Sequence, residues 1–448
     1  MLKPPQVPLW KVLSRLPSLN YNPIPIISKQ FEEHGDFYST YIGFDQIFVT
    51  TNPEFIQHIL QKNHRNYTKT KIIHKIKDVI GNGLLTSDGA YWLKQRRLIQ
   101  PGFHRKKLEG LSKIISSEIE PYVSNLEQSI DGKESVDVMK EMMKLTLNVI
   151  LRSLFSAGFS QEEIDLVDHH FTELQEMLIM KIRRPFVVPA VRLFGGMKKY
   201  KRMQDEMDAI IYRLIRERRK DNGEYDDLMG MLLNSKYADT GEGMTDQQLR
   251  DESLILFLAG HETSANALSW MLYLLSQHPE IEQRLLDEFK EVLNGRPAGF
   301  EDMKQLPYTR QVIEESLRLY PPAWIMDRQT IEADQLGEYL IEGGKMVNIF
   351  IYGVHHDPKN WPDPKKFDPD RFTPEKSKAR KPFTYFPFGG GPRLCIGNNF
   401  AMMEMQMILA ALLQKFSFEY ARETPPETEP MITLRPRGGM PMRIKRRV

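Results

Sequence analysis

One segment constrains the fold more than any other: "MTDQQLRDESLILFLAGHETSANALSWMLYLLSQHPE", Met244 to Glu280. Thr245 precedes it as an N-cap, and Gln248 follows three residues later, the pattern of a reciprocal capping box. Helical spacing continues to His278, and Pro279 suits the first position of a next helix. At 1.5 Å per residue the segment is a rod about 50 Å long. Asp251, Glu252, His261 and Glu262 lie along it, which argues against a membrane span. A rod this long and this apolar is expected to cross the middle of a large helical body.

The rest of the chain agrees. Spacing from Tyr91 to Gln277 is almost continuously helical. "DFYSTYIGFDQIFVT" reads as two short strands around a turn, and Asn52 with Pro53 as the start of a helix. After Pro321–Pro322 the pattern alternates as strands do. A loop rich in Pro and Asp, a helix from Asn398 to Lys415 and a terminal strand region follow. The expected fold class is mostly α with a small β portion. No linker or repeat interrupts residues 37–448, so they are expected to form a single domain after an N-terminal segment 1–36. Basic and acidic residues number 61 and 59, a net of +2, which leaves no global field for nucleic acid. A single cysteine cannot form an internal disulfide, so a reducing cytoplasmic location is expected. The N-terminus lacks the apolar run of a signal peptide or transmembrane anchor. Leu9, Trp10 and Leu13 are the residues a membrane surface would meet there, although a tail packed on the body is the plainer reading.

That cysteine stands in "FGGGPRLCIG", Phe388 to Gly397. Zinc or an iron–sulfur cluster would need further thiolates. Haem iron works with one, because the porphyrin supplies the equatorial ligands. Gly389, Gly390, Gly391 and Gly397 allow tight bends against a flat macrocycle. Arg393 is placed to neutralise a propionate, and Phe388 to cover the sulfur. A nucleotide loop is excluded, since neither G-x-G-x-x-G after a strand nor G-K-[ST] is present.

"AGHETS", Ala259 to Ser264, interrupts the apolar run of the long segment. It is no zinc-protease motif, because position 265 is Ala where a second His is needed. Ala259 and Gly260 permit close approach of a flat group. Thr263 is expected to bond back to a carbonyl and open the helix locally. Glu262 and Thr263 then form an acid–alcohol pair for proton delivery.

The two segments together resemble the cytochrome P450 family. The haem-loop pattern F-x-x-G-x-R-x-C-x-G is matched at Phe388, Gly391, Arg393, Cys395 and Gly397. The oxygen-activating pattern [AG]-G-x-[DE]-T-[ST] is matched from Ala259 to Ser264. E-x-x-R is present as Glu315 and Arg318, P-x-R-F as Pro369–Phe372 with Arg371, and W-x-x-x-R as Trp92 and Arg96.

The resemblance implies the cytochrome P450 fold, with a long central helix over a buried haem b whose iron takes Cys395 as its axial thiolate. It assigns Trp92, Arg96, Arg328, Arg393, Phe388 and Gly260 to the haem, Arg328 by its distance after "YPP" alone. Thr263 and Glu262 are its catalytic pair, and Glu315, Arg318 and Arg371 hold the fold on the thiolate side. It implies a monooxygenase using O2, a small-molecule substrate and a separate ferredoxin or flavodoxin with its NAD(P)H reductase. Arg96, Arg97, Arg105, Lys106, Lys107 and Arg393 are the cations expected to meet that donor. The first substrate expectation is hydroxylation of a fatty acid or terpenoid, through Leu254, Leu258, Phe186, Val187 and Trp324. The second is O-demethylation of a small polar methoxylated compound, met by Lys71, His74, Lys75, Arg183 and Arg184. A peroxide-driven peroxygenase or a haem sensor without turnover would not need Glu262 and Thr263.

Overall fold

The capping box forms. Gln248 Oε1 accepts from Thr245 N at 2.9 Å, and Thr245 Oγ1 accepts from Gln248 N at 3.2 Å. The helix that follows runs from Asp246 to Gln277, and Pro279 opens the next one, Pro279–Val292. This computed structural model describes residues 2–132, 134–156, 158–183, 187–193, 195–221 and 225–447.

The chain folds as two compact units that interleave in sequence, 1–70 with 126–142 and 263–448, and 71–125 with 143–262. The division falls inside the long helix, between Glu262 and Thr263. The second unit is built from helices, among them Gly89–Ile99, Arg105–Ser129, Val138–Phe155 in its greater part, Gln161–Arg183 and Gly196–Lys220.

The first unit holds the described strands. Its main sheet runs Phe37–Ile42, Asp45–Thr50, Met346–Ile349, Met326–Thr330, Tyr67–Thr68. Asp45–Thr50 pairs with Met346–Ile349 in parallel, and the other neighbours are antiparallel. Alternation buries both faces. Phe37, Phe48, Val347 and Ile349 enter one apolar cluster. Tyr38, Ile47 and Val49 enter another, with Val7, Ile24 and Phe350. Asn52 caps the helix that leaves the sheet, accepting from Glu54 N and Phe55 N. The helix Asn398–Lys415 begins directly after the cysteine segment.

Several polar side chains inside the long helix find partners locally or across the unit. Ser269 donates to Ala265 O at 2.7 Å, Asn266 to Thr433 Oγ1 at 2.7 Å, and Trp270 Nε1 to Leu434 O at 3.0 Å. Trp270 also stacks on Tyr320 with centroids 3.9 Å apart. Among the described residues no helix is long and apolar enough to cross a membrane.

Candidate active site

The cysteine segment is a closed loop. Cys395 N donates to Phe388 O at 2.9 Å, and Leu394 N to Gly391 O at 3.1 Å. Gly391 has φ +65°, and a Cβ there would lie 1.8 Å from Leu60 O, so only glycine fits. The Cys395 side chain is exposed, three residues before the helix Asn398–Lys415. The positive end of that helix favours a thiolate over a thiol. Among the described residues no group of three His, Cys, Asp or Glu side chains is placed to share a metal ion. A metal on Cys395 must therefore bring its other ligands with it, as a porphyrin iron does. The residues present fit that group.

Behind the loop stands a buried ion pair. Glu315 and Arg318 are fully buried on the helix Pro307–Leu319. Arg318 Nε and Nη2 donate to the two carboxylate oxygens at 2.6 and 2.7 Å. Its remaining N–H groups reach the carbonyls of His355 (2.8 Å), Pro364 (2.8 Å) and Lys366 (3.1 Å). Arg371 Nε lies 3.4 Å from Glu315 Oε1. Burial pushes the Glu315 carboxyl up, and Arg318 pulls it back. His355 carries the cluster onward, because its Nε2 accepts from Phe386 N at 3.1 Å, and Phe386 O accepts from Gly389 N at 2.9 Å. Burial holds the His355 pKa well below the ordinary value of 6.5, so the ring is neutral and Nε2 is free to accept. Sequence reasoning missed His355, since nothing local marks it.

The oxygen segment differs from expectation in one respect. The helix stays α-helical through Ala259–Ser264 and is not locally opened. Gly260 is packed instead, because a Cβ there would lie 2.8 Å from Ile150 Cδ1. The break is one of burial. From Leu249 to Leu275 only Ala259, Gly260 and Thr263 are not buried. Ala259 and Thr263 are one turn apart and share a face. Glu262 is fully buried, and its Oε2 accepts from Gln175 Nε2 at 2.6 Å. Gln175 lies on the helix Gln161–Arg183 and was not anticipated.

Ser264 Oγ donates to Glu404 Oε2 at 2.6 Å, joining the long helix to the one after the cysteine loop. Burial pushes the Glu404 carboxyl from the usual 4.5 up to about 8, so it is neutral at pH 7. A pKa raised on folding contributes stability that is full below about 4.5 and is lost as pH rises through about 8. Glu404→Gln keeps an acceptor for Ser264 and removes the titration. We expect its thermal midpoint to gain on wild type between pH 5 and pH 8, and parallel curves would contradict this.

The other assigned residues lie on several elements. Trp92 is buried and Arg96 half-buried, one turn apart on Gly89–Ile99 in the second unit. Arg328 is buried on Met326–Thr330 opposite Val347, and donates to Asp327 O at 2.7 Å. Arg393 ends the turn Gly391–Arg393, and Phe388 is half-buried. Of the expected donor-facing cations, Lys107 pairs with Asp226 at 2.8 Å. Leu254 and Leu258 are buried, while Lys71, His74 and Lys75 are exposed. Trp324 belongs to the core, packed edge-on to Phe350 and donating to Met431 O at 3.1 Å. Arg184 and Phe186 lie outside the described residues. Two unforeseen carboxylates pin the loop before Trp92: Asp251 Oδ2 accepts from Asn82 N at 2.8 Å, and Glu252 Oε2 from Leu84 N at 3.0 Å.

The family model described as Cytochrome P450 matches residues 3–442. The chain is 32% identical over 383 residues to cyclooctat-9-en-7-ol 5-monooxygenase of Streptomyces melanosporofaciens, covering 86% of this chain and 82% of that one. It is 33% identical over 402 residues to cyclooctatin synthase of the same organism, covering 90% and 87%. It is 32% identical over 408 residues to 11-oxo-beta-amyrin 30-oxidase of Glycyrrhiza uralensis, covering 88% and 77%. The fold matches the crystal structure of the cytochrome P450DA heme domain with a TM-score of 0.89 at 24% identity, covering 100% of this chain and 98% of that one. The chain belongs to the cytochrome P450 family, and it is a monooxygenase whose haem is held by a cysteine thiolate.

Proposed function

We propose that this protein hydroxylates a terpenoid, with Cys395 as the axial ligand and Thr263 and Glu262 as the proton-handling pair. The observation that carries this is the window in the long helix. Over twenty-seven residues, Leu249 to Leu275, burial lapses only at Ala259, Gly260 and Thr263. The acid beside that window is buried and held by Gln175. Bound haem supplies oxygen activation at its iron, with electron density from the thiolate. The protein's residues do the rest. Thr263 presents a hydroxyl at the open face, and Glu262 is the nearest proton reserve, kept from water by Gln175. Trp92, Arg96, Arg328 and Arg393 would meet the propionates, with Phe388 over the sulfur.

The reaction takes one O2, two electrons and two protons; one oxygen atom enters the substrate and the other leaves as water. The electrons come from a separate ferredoxin or flavodoxin with its NAD(P)H reductase, in the cytoplasm. The named relatives that act on cyclooctat-9-en-7-ol and 11-oxo-beta-amyrin favour a terpenoid over a fatty acid or a methoxylated compound. Buried Leu254 and Leu258, one and a half turns or less before the window, agree with an apolar substrate.

The test is a visible-absorption titration of the ferric protein with terpenoids, graded fatty acids and methoxylated aromatics. A saturable blue shift of the Soret band with terpenoids alone is expected, and a shift confined to another class would replace the substrate reading. Thr263→Ala should lower product per NAD(P)H by about 10²-fold, within the range of a lost proton-transfer group, while leaving the reduced carbon monoxide spectrum unchanged. Product formed from peroxide alone and indifferent to Thr263→Ala would instead mark a peroxygenase.

A further inference from the structure

We propose that His58 and Asp334 are positioning residues for the axial thiolate, acting through a π-helical turn on which the cysteine loop rests. The role depends on Cys395 being the ligand of the iron. The Glu315–Arg318 cluster reaches the start of that loop through His355, Phe386 and Gly389. Gly391, four residues before the sulfur, leans on a different support.

That support is the backbone of Leu60 and Gln61. A Cβ on Gly391 would lie 1.8 Å from Leu60 O and 3.3 Å from Gln61 Cα, so the two backbones pack with no side chain between them. The helix Pro53–Gln57 does not continue as an α-helix here. It widens into a π-helical turn, His58–Lys62, with Asn63 N donating to His58 O five residues back at 2.8 Å. Such turns are uncommon and occur often at functional sites. The wider turn changes the direction in which Leu60 presents its carbonyl. Ile59 and Leu60 are buried in the same apolar cluster as Phe386, so the turn and the start of the loop share one core.

The turn is tied down at its first residue. His58 Nε2 lies 2.9 Å from Asp334 Oδ2, and Tyr67 OH donates to the same oxygen at 2.6 Å. Asp334 Oδ1 accepts from Gln335 N at 2.9 Å. Burial pushes the Asp334 carboxyl up, but Tyr67 and His58 outweigh it and hold it below the ordinary 3.8. An ionised carboxylate only accepts, so His58 Nε2 carries the proton between them. Asp334 is itself fixed, because the strand before it is zipped to residues 66–68. Ile331 N donates to Asn66 O at 2.9 Å, Glu332 N donates to Asn66 Oδ1 at 2.8 Å, and Tyr67 pairs with Thr330. His58 thus opens the π turn with its carbonyl and anchors it with its ring. Every residue of this brace belongs to the first unit.

Both side chains are half-buried, and an ion pair so placed adds little to global stability. An outer partner that fixes the geometry of a metal ligand matters more, and its effect is felt at the metal. The two roles separate in experiment.

The haem-loaded full chain is reduced under carbon monoxide and warmed, and conversion of the thiolate-type spectrum to the thiolate-lost one is timed. His58→Leu and Asp334→Asn should each convert about 10-fold faster than wild type, the lower end of the loss expected for an outer partner of a metal ligand. His58→Gln keeps an Nε2 donor toward Asp334 and should stay close to wild type. Amide hydrogen exchange at Leu394 N and Cys395 N should quicken in His58→Leu and Asp334→Asn alone. Arg446→Leu breaks an ion pair with Asp131, 2.7 Å long and in the same unit, and is the control for a purely structural effect. Thermal midpoints are measured alongside. Conversion and exchange that change no more in His58→Leu than in Arg446→Leu, or that only follow the thermal midpoint, overturn the inference. So does a His58→Gln variant as fast as His58→Leu. A wild type without the thiolate-type band overturns the reading of Cys395 and this inference with it, whereas a wild-type band with unmoved variants overturns this inference alone.

Discussion

Cys395→Ser is expected to give a folded protein whose reduced carbon monoxide complex lacks the thiolate-type absorption band. Its oxygenation rate should fall by about 10³-fold or more, roughly 4 kcal/mol of barrier. The fold should survive because the loop is shaped by its backbone. Cys395 N holds Phe388 O, and Gly391 is wedged against Leu60 O, and neither contact uses the sulfur. The chemistry should not survive, because a serine hydroxyl does not ionise under conditions in which a thiol beside a helix N-terminus does. A metal then loses the electron-rich ligand that the family's reaction depends on. Measuring the spectrum and the thermal midpoint on one sample separates the two effects. An unchanged spectrum would remove Cys395 from the site.

What the sequence revealed was local. The Thr245–Gln248 box, the Asn52 cap and the helix Asn398–Lys415 all depend on residues within a few positions, and all formed. What it concealed was distant. Gln175 meets Glu262 across 87 positions, Ser264 meets Glu404 across 140, and His355 meets Phe386 across 31. No spacing rule reaches that far, and a lone Gln, Glu or His carries no label for its partner. Trp324 shows the opposite error. An aromatic beside a double proline looked like a pocket wall, yet its N–H found Met431 O and its ring joined the core under the sheet. At Ala259–Ser264 the motif was legible and its consequence was not. Back-bonding by Thr263 implies a local opening of the helix, but packing of Ile150 on Gly260 accompanies an unbroken one.

Arg318→Lys should destabilise the protein by about 3–5 kcal/mol, nearly as much as losing the charge outright. The sequence ranks Glu315, Arg318 and Arg371 alike, but the geometry does not. Arg318 has five N–H donors, and the structure gives it five acceptors: two carboxylate oxygens and the carbonyls of His355, Pro364 and Lys366. Lysine has three donors on one nitrogen and cannot reach a bidentate carboxylate and three separate carbonyls at once. Each acceptor left unpaired in a fully buried place costs about 1–3 kcal/mol. Glu315→Gln should cost a similar amount, because it strands the Arg318 charge. Arg371 is different. It touches Glu315 at 3.4 Å and donates to Asp363 O at 3.0 Å, far fewer contacts than Arg318 makes. Arg371→Lys keeps a charge beside Glu315 and gives up one hydrogen bond, to Asp363 O, so it should cost about 1–2 kcal/mol, less than Arg318→Lys. Denaturant unfolding of the three variants tests the ranking. If Arg318→Lys is too unstable to recover, the yield of haem-loaded protein ranks the series instead. The link through His355 to Phe386 and Gly389 adds a second expectation, that Arg318→Lys loosens the cysteine loop. Recovered Arg318→Lys protein should then convert to the inactive, thiolate-lost carbon monoxide spectrum faster than Arg371→Lys. Equal stability and equal conversion across all three would show that the cluster neither holds the fold nor steadies the thiolate.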